Sequence, residues 1–260
     1  MRLLMCRPDF FSIEYEINPW MHIANQVNHG LALKQWKNLF KSYQESGATI
    51  ELINPVAGLP DMVFTANGGI VYNTIFISSH QRFRQRQGEE SYFQKWFADH
   101  QYTVVTLNHY QSGEGDALWY REQLYLAYGF RSELAAHREV SHILGQPVIS
   151  LELVDPQYYD FDTCFCPIAD QVVLYYPGAF SKTSCALIEQ LPGAVALTQK
   201  EAHHLVTNSI LVGKTLFTQF INPRLRYILK RVNIQVKCLD MSEFNKSGGG
   251  IKCLTLILES

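Results

Sequence analysis

Short apolar runs of strand length come in close pairs along this chain, and a helix-length amphipathic segment follows each pair. The motif returns at intervals of about fifty residues, a period typical of repeated supersecondary units. The pattern predicts a strand near Leu3–Cys6 and a helix from Ala32 to Gly47, with Leu33, Trp36, Leu39 and Phe40 on one face, then a strand at Thr49–Ile53. Paired strands at Gly69–Tyr72 and Thr74–Ile77 are joined at Asn73, with a helix at Gln85–His100 and a strand at Thr103–Thr106. Further strands fall in the 120s and at 148–153, and a pair at Phe161–Pro167 and Val172–Tyr176 precedes a helix at Ser181–Gln190 and a strand at Ala194–Leu197. A last pair at Ser209–Val212 and Thr215–Thr218 leads to a helix at Arg224–Arg231 and strands at Gln235–Leu239 and Lys252–Leu258. Antiparallel pairs alternating with single helices do not build a doubly wound sheet. They suggest a repeated α/β unit that can close into a ring. No Pro/Ser-rich or low-complexity linker divides the chain, so residues 1–260 are expected to form one domain.

Composition removes several classes of function. Apolar residues make up 47% and charged ones 18%, with a net charge of -2 that offers nothing to attract nucleic acid or an anionic membrane. Leu3-Leu4-Met5 is too short for the apolar core of a signal peptide and runs into Arg7-Pro8-Asp9. No apolar run is long enough for a membrane-spanning helix. The 6 cysteines then read as reduced thiols of a cytoplasmic protein. Cys164 and Cys166 lack a second pair at zinc spacing and are expected to be buried small apolar residues. Neither a metal nor an organic cofactor is expected, and the pattern does not fix an oligomeric state.

Chemistry is concentrated in a few loops. Ser247-Gly248-Gly249-Gly250-Ile251-Lys252-Cys253 brings three consecutive glycines, costly in backbone entropy, up to a cysteine at the mouth of a strand. A nucleophile would be presented this way, and a glycine hairpin followed by a buried structural cysteine reads equally well from this fragment. Three other loops are unusually polar: Pro60-Asp61-Met62-Val63-Phe64-Thr65-Ala66-Asn67-Gly68-Gly69, Gly113-Glu114-Gly115-Asp116-Ala117-Leu118-Trp119, and Tyr159-Asp160-Phe161-Asp162-Thr163-Cys164-Phe165. In the last, strand alternation would put Asp160 and Asp162 on one face with Cys164. Two like charges entering an apolar run call for a cation between them, either a substrate or an arginine, unless both are solvated turn residues. Gly213-Lys214-Thr215 lacks the glycine a phosphate loop needs five positions earlier, where Asn208 stands. His203-His204 reads as surface, and Arg82-Phe83-Arg84-Gln85-Arg86 as a solvated helix start with some scope to close over a carboxylate.

Taken together, these loops resemble the guanidino-group modifying superfamily of pentein fold, in its arginine dihydrolase and dimethylargininase-like branch. The resemblance runs the length of the chain: Met5-Cys6-Arg7-Pro8-Asp9 with Tyr15-Glu16-Ile17-Asn18-Pro19-Trp20-Met21, Pro60 to Gly69, Gly113 to Trp119, Gly129-Phe130-Arg131-Ser132, Asp162-Thr163-Cys164-Phe165 and the glycine loop with Cys253, in family order. It implies a five-bladed, pseudo-symmetric α/β propeller of ββαβ units around a polar funnel, in agreement with the cadence. It also implies a hydrolase in which Cys253 attacks a guanidinium carbon and carries a covalent amidino-thioether. By the same resemblance Asp116 and Asp162 grip the guanidinium nitrogens, Asn67, Asp61 and Phe64 belong to the substrate loop, and Arg131 holds an α-carboxylate. L-arginine is the simplest substrate, by dihydrolase or deiminase chemistry.

One departure stands out. Where the family reads His-x-Asp-Thr, with the histidine as general acid and base, this chain has Asp160. A carboxyl group ordinarily titrates near 3.9 and is a poor acid at neutral pH, and loss of a positioned acid–base group costs roughly 10²- to 10⁴-fold in rate. Three readings follow: a working hydrolase with Asp160 in the acid–base position, a degenerate site that binds or senses arginine-like cations, or altered chemistry in which Asp160 recognises an additional amine.

Overall fold

A computed structural model describes residues 1–259. It contains five separate three-stranded sheets with no closed barrel. The first sheet unites β1 (Arg2–Cys6) and, after helix α1 (His29–Glu45), β2 (Thr49–Ile53). The second holds β3 (Gly69–Tyr72), β4 (Ile75–Ser78) and, after α2 (Arg84–Asp99), β5 (Thr103–Val105). The third repeats this with β6 (Ala117–Tyr120), β7 (Gln123–Tyr128), α3 (Leu134–Leu144) and β8 (Val148–Glu152). The fourth has β9 (Phe165–Ile168), β10 (Val172–Tyr175), α4 (Lys182–Glu189) and β11 (Ala194–Ala196), followed by the short α5 (Gln199–His203). The fifth has β12 (Ile210–Val212), β13 (Thr215–Thr218), α6 (Pro223–Arg231) and β14 (Gln235–Cys238), after which α7 (Ser242–Asn245) leads to β15 (Leu256–Glu259).

The second to fifth units follow one rule. The first two strands pair antiparallel through a tight turn, and the helix crosses over to deliver a parallel third strand. A parallel neighbour cannot be reached by a hairpin, which is why each unit needs its helix. β15 pairs antiparallel with β1, so the first sheet is completed by the far end of the chain. Hairpin turns are marked by left-handed residues: Asn73 (φ 52°), Arg121 and Glu122 (φ 50° and 62°), Ala169 (φ 50°) and Gly213 (φ 58°). These dihedrals match the twist of the strands they join. Helix starts follow local chemistry: Asn28, Ser181 and Asn222 accept main-chain donors of the first turn, Pro223 sits where no donor is needed, and Thr198 with Glu201 forms a capping box.

The observed elements lie within a few residues of the expected ones, apart from α3, α5 and α7, which the strand-centred pattern passes over. Two expected strands are shortened, and both shortenings matter. Phe161–Thr163 is a 3-10 turn and β9 begins only at Phe165. Residues 251–254 form a turn, with Leu254 N donating to Gly250 O at 3.1 Å, and β15 begins at Leu256. Asp160, Asp162 and Cys164 therefore do not share a strand face. The Asp160 carbonyl accepts from Thr163 N at 3.1 Å and Thr163 Oγ1 at 2.5 Å, which winds the segment up and sends the two carboxylates in different directions. No helix among the described residues is long and apolar enough to cross a membrane.

Candidate active site

The first strand of each hairpin is preceded by a polar turn, and the turns hydrogen-bond to one another in a closed circuit. Asn67 Nδ2 donates to Ser112 O (3.1 Å) and Oγ (2.9 Å), joining the second unit to the third. Phe161 N donates to Asp116 Oδ1 at 3.0 Å, and Asn208 Nδ2 to Asp162 O at 3.4 Å. Lys252 N and Cys253 N both donate to Asn208 Oδ1, at 3.1 and 3.3 Å, and Ala66 N donates to Cys253 O at 3.1 Å. Asn67, Asp116, Asp162, Asn208 and Cys253 thus come one from each unit, linked by hydrogen bonds between neighbouring turns.

The glycines explain how Cys253 gets there. Gly248 has φ +77°, and a Cβ on it would meet Trp20 and Tyr159 at 2.8 Å. A Cβ on Gly249 would meet the Phe64 ring at 2.5 Å. Phe64 is itself wedged edge-on against Phe11 and Phe244, so it has little room to give. The loop is glycine because backbone must lie where side chains already stand.

Cys253 is buried, and its thiol donates to Asp162 Oδ2 at 3.0 Å while Asn208 Nδ2 donates to the sulfur at 3.0 Å. Asp160 faces the other way, accepting from Asn67 Nδ2 at 3.1 Å and Arg131 Nη1 at 3.2 Å. The Arg131 guanidinium lies over the Tyr159 ring at 4.3 Å. Asp116, behind Asp160, accepts from Ser132 Oγ at 2.6 Å as well as from Phe161 N. Asp61 accepts from Tyr15 Oη at 3.0 Å. Arg86 binds Glu89 through two bonds of 2.9 and 2.8 Å, donates to Asn67 Oδ1 at 2.9 Å and donates to the Asp61 carbonyl at 3.1 Å. Its grip on Oδ1 turns the amide of Asn67 so that Nδ2 faces Ser112 and Asp160.

Of the residues singled out in the sequence, Cys253, Asp162, Asp160, Asp116, Asn67 and Arg131 lie in this connected network. Asp61 joins it through Arg86, and Phe64 contributes packing alone. The sequence reading missed Asn208, which it had met only as the residue that spoils a phosphate loop. Its place before β12 matches that of Asn67 before β3, a signal visible once the repeat is aligned. It also misjudged Arg86: Arg82 and Arg84 are exposed, but Arg86 is among the largest fully buried side chains because Glu89, one helical turn on, neutralises it. His203 and His204 are exposed, as expected.

Burial and neighbouring carboxylates set the electrostatics of this group. Burial, followed by the neighbouring Asp160, raises Asp162 to about 7 and holds Asp116 well above the usual carboxylate range. Lys252 works in the opposite sense on Asp162. Burial, then Asp162 and Asp160, pushes the Cys253 thiol well up, so the sulfur keeps its proton while no positive charge is beside it. Burial also raises Asp61. Three buried atoms in this group have no protein partner: Asp162 Oδ1, Asp61 Oδ1 and Arg131 Nε.

Five ββαβ-type units around a ring of polar turns, with a buried cysteine against a carboxylate, define a pentein-fold C–N hydrolase of linear amidines. The chain belongs to the dimethylarginine dimethylaminohydrolase family: the family model for N,N dimethylarginine dimethylhydrolase, eukaryotic, matches residues 9–259. It is 36% identical to the N(G),N(G)-dimethylarginine dimethylaminohydrolase of Mycobacterium tuberculosis over 98% of this chain and 85% of that one. It is 39% identical to the bifunctional arginine dihydrolase/ornithine cyclodeaminase AgrE of Nostoc sp. over 98% of this chain, and spans 37% of that longer protein. The N-terminal domain of the cyanobacterial arginine dihydrolase ArgZ superposes with a TM-score of 0.95 at 38% identity, covering 99% of this chain and 97% of that one. That domain has been solved as a cysteine-to-serine variant bound to substrate and as an asparagine-to-serine variant covalently bonded to a reaction intermediate.

Proposed function

We propose that the protein hydrolyses a small guanidino compound through a covalent adduct on Cys253, with L-arginine as the reference substrate because the solved relatives act on it. The observation that carries this reading is the contact between the Cys253 thiol and Asp162 Oδ2 at 3.0 Å, beside a second Asp162 oxygen with no protein donor. A guanidinium donating to that free oxygen places its carbon next to the sulfur, and its charge favours the thiolate that burial otherwise disfavours. Asp116, whose two oxygens accept from Phe161 N and Ser132 Oγ, holds the turn behind this contact rather than the ligand.

The thiol proton passes to Asp162 as sulfur adds to the guanidinium carbon. The C–N bond to the leaving nitrogen then breaks, with a proton moving onto that nitrogen. Water adds to the amidino-thioether, the C–S bond breaks and the thiol recovers its proton, leaving from L-arginine a ureido product and ammonia; a second hydrolysis at the ureido carbon gives ornithine, carbon dioxide and a second ammonia. Asp160 stands where a histidine would move those protons, and Asn67 and Arg131 hold it. The covalent intermediate of ArgZ supports the adduct, and the buried Asn67 and Cys253 are of the residue types altered in the two ArgZ variants.

A second reading has its own observation. Arg131 and Asn67 both occupy Asp160 Oδ2, so a carboxylate held this firmly is poorly placed to shuttle protons, and the site would bind arginine-like cations without turnover. The test is incubation with L-arginine, quantifying ornithine, citrulline and ammonia by mass spectrometry, with Cys253→Ala as control. Product that vanishes in the control supports the hydrolase. Binding without product, converted to turnover by Asp160→His, supports the degenerate site. Failure to bind any guanidino compound removes both.

A further inference from the structure

We infer that the end of the site away from Cys253 selects a guanidino compound with a second positive charge and no carboxylate. The inference rests on the guanidino reading of the site and concerns the other end of the ligand. Its basis is the ion pair between Asp160 and Arg131, 3.2 Å apart, with side chains only 1% and 5% exposed. Arg131 is the cation that would otherwise receive an α-carboxylate. Here its charge is already balanced inside the protein, and its plane is fixed over Tyr159.

Among the described residues, no other free cation of this network replaces it. Arg86 is committed to Glu89 through a two-point contact with both side chains 2% exposed, and Lys252 is committed to Glu114 at 2.8 Å. Around the same network stand Asp61, Asp116, Asp160 and Asp162, all buried. A ligand carboxylate brought against Arg131 would therefore lie beside Asp160, with no uncompensated positive charge to meet it. Like charges at such range in a buried site repel strongly.

Unmet hydrogen-bonding capacity points the same way. Asp162 Oδ1 and Asp61 Oδ1 are buried carboxylate oxygens without a donor. One lies at the thiol, where a guanidinium would sit. The other lies on the substrate loop beside Arg86, where an ammonium would satisfy it. Arg131 Nε also lacks a partner, but with its charge neutralised it needs only a neutral acceptor such as an amide carbonyl. Burial raises Asp61, although Arg86 and Arg131 work in the opposite sense. Asp160 is thus a specificity-determining residue: it converts an arginine-binding corner into one that disfavours the acid and accepts the amine.

The test is calorimetric binding of agmatine, L-argininamide and L-arginine to the intact wild-type protein at one ionic strength and pH. Agmatine and L-argininamide, which lack the carboxylate, are expected to bind at least about tenfold more tightly than L-arginine, the scale of one unit-charge interaction in a partly polar interior. In Asp160→His and Asp160→Asn, which free Arg131, the order should turn toward L-arginine. L-arginine binding as tightly as the other two in the wild type overturns the inference, as does an unchanged ratio in a folded Asp160 variant. Preference-free binding of all three ligands would leave the guanidino reading standing, whereas no binding by any of them defeats both.

Discussion

Asp162 touches Cys253 with one oxygen and leaves the other without a protein donor: Oδ2 accepts the thiol at 3.0 Å, while Oδ1 is buried and unpartnered. A buried carboxylate in that position is costly to ionise, which has a measurable consequence. Its folded-state value of about 7 exceeds the ordinary 3.8, so the folded protein binds more protons than the unfolded chain between those values. The stabilising contribution of the protonated form is complete below the lower value and is lost as pH rises through about 7. Asp162→Asn should therefore raise ligand-free stability more at pH 8 than at pH 5. Urea denaturation of both proteins at the two pH values checks it, and an equal effect at both refutes the assignment.

Asn208 should prove as important to the thiol as any residue found from the motifs. Its Nδ2 donates to the sulfur, and its Oδ1 holds the backbone of Lys252 and Cys253. Asn208→Ala removes a donor that stabilises developing thiolate and strands the buried Cys253 N–H, while Lys252 N keeps its 3.4 Å bond to the Asn208 carbonyl, costing about 1–3 kcal/mol in stability. The guanidine-dependent alkylation of Cys253 by iodoacetamide should slow in the variant. Alkylation at the wild-type rate would mean that Asn208 only supports the turn.

Arg86 and Glu89 form a buried pair whose loss has two readouts. Removing one partner typically costs about 3–5 kcal/mol, because the survivor remains buried and charged. Glu89→Gln is expected to lower the denaturation midpoint accordingly. Arg86→Met should in addition release the Asn67 amide and weaken ligand binding more than Glu89→Gln does. Equal binding by the two variants would show that the Arg86–Asn67 bond does not position the amide.

The glycine loop offers a purely steric prediction. Gly248→Ala places a side chain in left-handed backbone, at about 1–2 kcal/mol, and drives it into Trp20 and Tyr159. Gly47, at φ +84°, has nothing within 4 Å of its would-be Cβ. Gly47→Ala should thus show the backbone cost alone. Thermal melting of the two variants separates strain from clash; similar losses would mean that Trp20 and Tyr159 move aside.

Much of this organisation is legible in the sequence. The alternation of strand pairs and helices is a long-range periodic signal, and the repeated unit follows from it. The turns were harder. Phe161–Thr163 carries β-type alternation in sequence, yet the Thr163 hydroxyl and amide bond back to the Asp160 carbonyl and override it. Arg86 looked like one of a cluster of solvated arginines because its partner Glu89 and its target Asn67 meet it only in three dimensions. The pairing of Asp160 with Arg131 was likewise out of reach, since the residues come from different units and neither flank advertises the other.

The strand that follows Cys253 is also the one that completes the first sheet, because β1 is held between β2 and β15. Four of the sheets can form from a single contiguous stretch as it leaves the ribosome, but this one must wait for residues 256–259. A nascent chain therefore carries β1 with one edge unsatisfied, and Cys253 outside its site, until residues 256–259 have emerged. Such late, non-local closure is slow and leaves an edge open to wrong partners. The same delay keeps the Cys253 thiol apart from Asp162 and Asn208 until the rest of the ring is ready to enclose it.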